Sequence, residues 1–157
     1  MASKTGLKNK TVIQAAASQN AVHHARWKLA GVLIVALFGF ALYINTYPNG
    51  YVMDDVFVTA QNEVVKKGLK GIPEILKTPY IVIDGVSFDY RPCVKINYAI
   101  EYELFGENAH ISHLIQALLY GLCCAALFLL LSMLLPQYNL LLPLSATLLF
   151  AAHPIHT

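Results

Sequence analysis

Two adjacent carboxylates, Asp54 and Asp55, stand in Tyr51-Val-Met-Asp-Asp-Val, shortly after a long uncharged apolar run. A carboxylate at the headgroup level of a bilayer is partly desolvated and can take a proton as a general base. Neighbouring carboxylates also repel, which raises one pKa, or they jointly hold a divalent cation such as Mg or Mn. The plainer reading is a helix cap followed by an acidic first turn. Arg91, in Asp89-Tyr90-Arg91-Pro92, offers a planar guanidinium that can clamp the phosphate of a lipid-linked substrate, with Tyr90 beside it. It could equally pair with a loop acid or a lipid headgroup. His153 and His156 flank Pro154 and Ile155 at a spacing found in metal-binding pairs. No Cys or acid stands near them to complete a zinc set, so substrate contacts or an interfacial helix end are the readings left. His110 and His113 head an apolar run and read as interfacial. No P-loop, dinucleotide fingerprint or nucleophile elbow is present.

The elements that must position these residues follow from where charge is absent. All 9 acidic residues fall between Tyr47 and His110, in a polar stretch flanked by apolar runs. The chain is 57 % hydrophobic and 13 % charged, about half the charged share of soluble domains. Its apolar residues cluster in runs rather than spreading with a period, which argues for a membrane protein over one compact soluble domain. The formal charge of +2 carries no case for nucleic acid. Lys4, Lys8, Lys10, Arg26 and Lys28 instead crowd the region before the first run. Cys93, Cys123 and Cys124 offer no disulfide framework, and the last two read as packing residues inside a run.

Residues 1–28 form a basic cytoplasmic segment with a weak helical pattern over 12–22. Its Asn9-Lys10-Thr11 matches a glycosylation sequon by chance. Residues 29–47 form the first transmembrane helix, an uncleaved signal-anchor with Trp27 and Lys28 at one interface and Tyr43 and Tyr47 at the other. The basic N-terminal flank puts the N-terminus in the cytoplasm and residues 48–110 outside. Ile111–Leu135 is the second span, and Pro136-Gln-Tyr-Asn139 is a tight link. Residues 139–155 make a shorter third span, or a re-entrant segment. Three crossings deliver His153 and His156 to the same face as Asp54, Asp55 and Arg91. The end at Thr157 reads as a truncation.

Within the loop, Pro48-Asn49-Gly50 is a turn. A helix is expected from Asp54 to about Lys67 with Gly68 as its stop, then a short helix over Gly71–Lys77 with Pro73 in its first turn. Tyr80-Ile-Val-Ile-Asp-Gly reads as a short strand or an extended link. A third helix opens at Asp89-Tyr-Arg-Pro and ends before Gly106. Its stripe of Cys93, Ile96, Ile100 and Leu104 suits the membrane surface.

These landmarks, in order, resemble the membrane glycosyltransferases of the C superfamily, most of all the transmembrane and tetratricopeptide-repeat O-mannosyltransferase-like family and its bacterial relatives. The residues carrying the resemblance are Tyr51-Val-Met-Asp54-Asp55, Tyr90-Arg91-Pro92, Leu104-Phe-Gly-Glu-Asn-Ala, and Leu149-Phe-Ala-Ala-His153-Pro-Ile-His156-Thr157. The resemblance implies an all-α polytopic fold, of which this chain supplies three transmembrane helices and a large helical external loop. It implies inverting transfer of a hexose, mannose first among them, from a polyprenyl-phosphate donor to an acceptor hydroxyl on a protein or glycan. Asp54 or Asp55 would then remove the acceptor proton, and Arg91 would sit near the donor phosphate. The bacterial inner membrane or the endoplasmic reticulum is the implied location.

Two rival functions remain at this stage. One is a non-enzymatic membrane subunit or scaffold that binds a partner through the acidic loop. The other is a transporter or flippase fragment, against which the uncharged spans count.

Overall fold

The computed structural model of the chain describes residues 23, 25–52, 54–83 and 85–153, with the backbone alone for Asp54 and Ile83. The helical pattern over 12–22, the sequon and His156 lie outside the described residues. In chain order the elements are α1 (Ala25–Thr46, closing in a 3-10 turn at Ile44–Thr46), α2 (Asp54–Val58), a 3-10 segment (Val65–Gly71), α3 (Ile72–Ile75), β1 (Ile81–Ile83), β2 (Val86–Phe88), α4 (Pro92–Phe105), α5 (Ala109–Leu134) and α6 (Leu141–Ala151). The chain divides into two compact units, Met1–Leu42 with Leu119–Thr157, and Tyr43–Leu118.

The first unit is built from apolar helices. Helices α1 and α5 have 22 and 26 residues, or roughly 33 and 39 Å at a rise of about 1.5 Å per residue. Both exceed the ~30 Å of a bilayer's hydrocarbon. Helix α6 has 11 residues, roughly 16 Å. Asn139 Oδ1 accepts from the Leu141 N–H at 3.0 Å and starts the helix, and His153 N–H closes a turn on Phe150 O at 3.1 Å. Crossing length is therefore met by α1 and α5 alone among the described helices, and the third span expected over 139–155 is shorter than expected. Two glycines bring α1 and α5 together. A Cβ on Gly121 would lie 2.6 Å from Ala36 O, and one on Gly31 would lie 2.5 Å from the Phe128 ring. Val35, Cys124, Phe128 and Ala151 are buried in this contact, whereas Leu33, Leu37, Leu122, Leu130 and Met133 are exposed. An apolar surface of that extent needs lipid or further helices to cover it.

The second unit holds the acidic stretch. The helix expected to run from Asp54 to Lys67 is broken: α2 ends at Val58. Thr59 Oγ1 donates to Asp55 O at 2.5 Å, and the Gln61 N–H reaches back to Val56 O at 2.9 Å, a wider ring than an α-helix uses. Such hydroxyl back-bonding competes with helical propagation. Asn62 Oδ1 then accepts from the Val65 N–H at 3.1 Å and starts the 3-10 segment. Gly68, at φ 61° and ψ −140°, kinks that segment in a conformation other residues resist. Pro73 falls in the first turn of α3, as its fixed φ favours.

Within the Tyr80–Gly85 stretch, Ile81–Ile83 is strand. β1 pairs antiparallel with β2, Ile81 opposite Phe88 and Ile83 opposite Val86. This hairpin corrects the all-α expectation; the fold is mostly helical with one two-stranded ribbon. Pro92 opens α4 and Gly106, at φ 67°, follows its end. Helix α4 buries Lys95, Tyr98, Ala99 and Glu101 on the unit's core, with Val58, Val65, Ile75 and Tyr80. Cys93, Ile100 and Leu104 face out on its other side.

Candidate functional site

Asp55 sits in the first turn of α2, where the free N–H groups and the helix dipole favour a carboxylate. Its Oδ1 accepts a hydrogen bond of 3.2 Å from the Tyr98 hydroxyl on α4. Burial, and then the negative charge of Asp55, push the Tyr98 phenol far above its ordinary value. Tyr98 is therefore a fixed neutral donor. Asp55 is half-buried, and its second oxygen has no hydrogen-bond partner among the described residues.

Beside this pair runs a second polar chain. Glu101, 5 % exposed, accepts from Ser112 Oγ at 2.6 Å and from the Asn97 amide. Tyr51 OH lies 2.9 Å from Ser112 Oγ. Since the Ser112 proton points to Glu101, Tyr51 is the donor to Ser112. Burial raises the Glu101 carboxyl above the ordinary carboxylate range, against the pull of its Ser112 and Asn97 donors. Burial likewise raises Tyr51. Tyr51, Tyr98, Glu101 and Ser112 share the wall of a cavity of about 10 Å³, at the lower limit for one water.

Arg91 and Tyr90 stand at the junction of the hairpin and α4. The Arg91 guanidinium is exposed, pairs with Asp89 at 2.5 Å and lies 5.2 Å from the centre of the Tyr80 ring. Tyr90 OH donates to Leu76 O at 2.7 Å. No hydrogen bond or ion pair joins Arg91 to Asp55 among the described residues. His110 Nδ1 meets Tyr47 O at 2.7 Å and His113 Nε2 meets Gly50 O at 3.3 Å, so both histidines tie down the loop's entry. His153 belongs to the other unit and is exposed. No group of three or more His, Cys, Asp or Glu is placed to hold a metal among the described residues. Asp55 supplies at most one carboxylate to such a site there.

Over 133 residues, 82 % of this chain, the sequence is 29 % identical to Protein O-mannosyl-transferase Tmtc1 of Drosophila melanogaster. The similarity is distant. The chain spans 15 % of that relative's length. No family model and no solved structure matches it. The similarity supports a glycosyltransferase-like function at the coarsest level, and the two long apolar helices agree with a membrane protein.

Sequence reasoning missed Tyr98, Glu101 and Ser112, which surround the acidic loop's first helix. One signal was available. Lys95, Tyr98 and Glu101 recur at helical spacing on the face of α4 opposite the apolar stripe, so a stripe turned outward already implied a polar face turned in.

Proposed function

We propose that this chain is part of an integral-membrane glycosyltransferase that moves a hexose, mannose first among the candidates, from a polyprenyl-phosphate donor to a hydroxyl of an acceptor protein. The observation that carries this reading is the Asp55–Tyr98 pair, a carboxylate in a helix first turn with one oxygen held by a neutral phenol and the other open. The distant similarity to a protein O-mannosyl-transferase points the same way. The acidic stretch is placed outside the membrane in this reading, N-terminus in the cytoplasm.

In the reaction, the acceptor oxygen bonds to the anomeric carbon while its proton passes to the open oxygen of Asp55. The bond from that carbon to the donor phosphate breaks, and its electron pair leaves with the phosphate. Attack opposite the leaving group inverts the anomeric centre. A phosphate leaves without a strong general acid, so neutralising its charge is the remaining electrostatic task. Arg91 suits that task because its guanidinium is exposed and Asp89, its one carboxylate partner among the described residues, is exposed as well. Asp54 begins the same helix turn as Asp55 and is the second candidate base.

The test uses the full-length protein reconstituted in vesicles with polyprenyl-phosphate mannose and an acceptor polypeptide. Asp55→Asn is expected to lower transfer by about 10²–10⁴-fold, the usual worth of a positioned base, with donor binding retained. Wild-type transfer by both Asp55→Asn and Asp54→Asn would remove the carboxylate base, and no transfer by the wild-type protein itself would remove the enzyme reading and favour the scaffold.

A further inference from the structure

A groove of about 540 Å³ is lined by Ile81 and Val82 of β1 together with Phe57 and residues 61–64. Five consecutive residues, Thr78 to Val82, line it, and none of β2 does. Of these, Ile81 and Val82 belong to β1; side chains of a strand alternate between its two faces, so two consecutive strand residues in the lining turn the backbone edge of β1 toward the groove. The sheet has two strands only, and that edge of β1 carries no partner strand among the described residues. An unpaired edge of this kind is a template for an added strand.

Two charged residues stand in the groove's wall, Lys95 and the exposed Glu63, whose carboxylate lies 3.9 Å from the Lys66 ammonium. Lys95 lines the groove, yet the residue is 2 % exposed. Its ammonium donates to Thr78 Oγ1 at 3.1 Å and to Pro79 O at 3.0 Å, two neutral acceptors. An ammonium has three N–H donors, so one remains. No carboxylate is within ion-pair distance of Lys95 among the described residues; the ion pairs there are made by Lys66, Lys67 and Arg91. Burial pulls the Lys95 pKa down, partly offset by the distant charge of Glu74. A buried cation held by neutral groups alone is complementary to an incoming carboxylate.

We infer that this groove is a docking site for an extended polypeptide segment that adds along β1 and sets an acidic side chain against Lys95. The inference rests on the glycosyl-transfer reading only in naming that segment the acceptor. Backbone hydrogen bonds to β1 supply affinity in any sequence, and Lys95 supplies preference for a carboxylate. The expected ligand is thus an unfolded or strand-exposed region with an acidic residue near its hydroxyl-bearing position.

The test measures equilibrium binding to the full-length protein in nanodiscs, with no sugar donor present. The probes are fluorescent eight-residue peptides of alternating Thr and Val carrying one central Glu, the same peptides with Gln, and Glu peptides N-methylated at alternate residues in each of the two phases. Wild-type protein is expected to bind the Glu peptide about tenfold or more tightly than the Gln peptide, the range of a close desolvated charge pair. One methylation phase is expected to abolish binding and the other to leave it intact. Lys95→Met is expected to equalise Glu and Gln peptides. Equal binding of Glu and Gln peptides by wild-type protein would overturn the role of Lys95 whatever the variant's fold. Indifference to both methylation phases would overturn strand addition. Intact, Glu-selective binding by an Asp55→Asn protein that still transfers sugar would sink the proposed base and leave this groove standing.

Discussion

The hydroxyl of Tyr98 meets the carboxylate of Asp55 at 3.2 Å across 43 residues of chain. That contact ties α4 to the first turn of α2 and fixes the orientation of the Asp55 carboxylate. Replacing Tyr98 by Phe removes the donor and little volume. Asp55 then loses its orienting bond, and transfer by the full-length protein is expected to drop about 10-fold with donor affinity unchanged, since misplaced groups cost rate more than binding. Unchanged turnover in Tyr98→Phe would mean that the phenol is only packing.

Glu101 makes stability depend on pH. Burial raises its carboxyl above the ordinary value of 4.5. Between 4.5 and the raised value the folded chain holds a proton that the unfolded chain has released. The stabilisation is fully present below 4.5 and is lost as pH rises through the folded value. Thermal unfolding in detergent should therefore show a Tm that falls as pH rises from the acid side. Glu101→Gln should flatten that fall, because the Ser112 hydroxyl can turn to accept from the new amide. A profile identical in wild type and variant would place the dependence elsewhere.

Gly68 is required where it stands. At φ 61° a side chain is strained, and a Cβ would lie 1.9 Å from Glu103 Oε2. Glu103 holds the Leu69 N–H at 3.3 Å and would have to let go. Gly68→Ala should cost about 2–3 kcal/mol, roughly 1–2 from the left-handed backbone and about 1 from the lost bond. Denaturant titration of the full-length protein reads that loss, and a cost under about 0.5 kcal/mol, the scale of an ordinary surface change, would refute the kink.

Gly121 sets the spacing of α1 and α5. A Cβ there would meet Ala36 O at 2.6 Å and Phe40 N at 3.4 Å, so the two backbones must part to admit it. Gly121→Val should destabilise the protein by roughly 1–3 kcal/mol, the usual range for overpacking. Gly50→Ala is the control, because nothing lies within 4 Å of a Cβ at that position. Equal Tm for the two variants in detergent would contradict a close helix contact.

Local signals carried the sequence reading where they were strong. Pro92 and Gly106 bound α4 because a missing N–H and a left-handed backbone act within one turn, wherever the helix packs. The uncharged runs announced α1 and α5 because the cost of a charge in hydrocarbon is paid residue by residue. The helix expected over 54–67 failed because a single hydroxyl at Thr59 and a single cap at Asn62 outweighed acid placement and helix propensity.

The sequence by itself determined that the acidic inventory is gathered between two apolar helices, since hydropathy and charge are properties of residues taken in order. Which groups meet was decided only by the tertiary structure. Asp55 finds Tyr98, Glu101 finds Ser112, and Lys95 finds Thr78 and no carboxylate among the described residues. Those pairings depend on how α4 rolls about its own axis against the loop, and the burial of Val58, Val65, Ile75 and Ala99 fixes that roll. Spacing along α4 tells which of its faces turns in, but not which partner each group on that face meets.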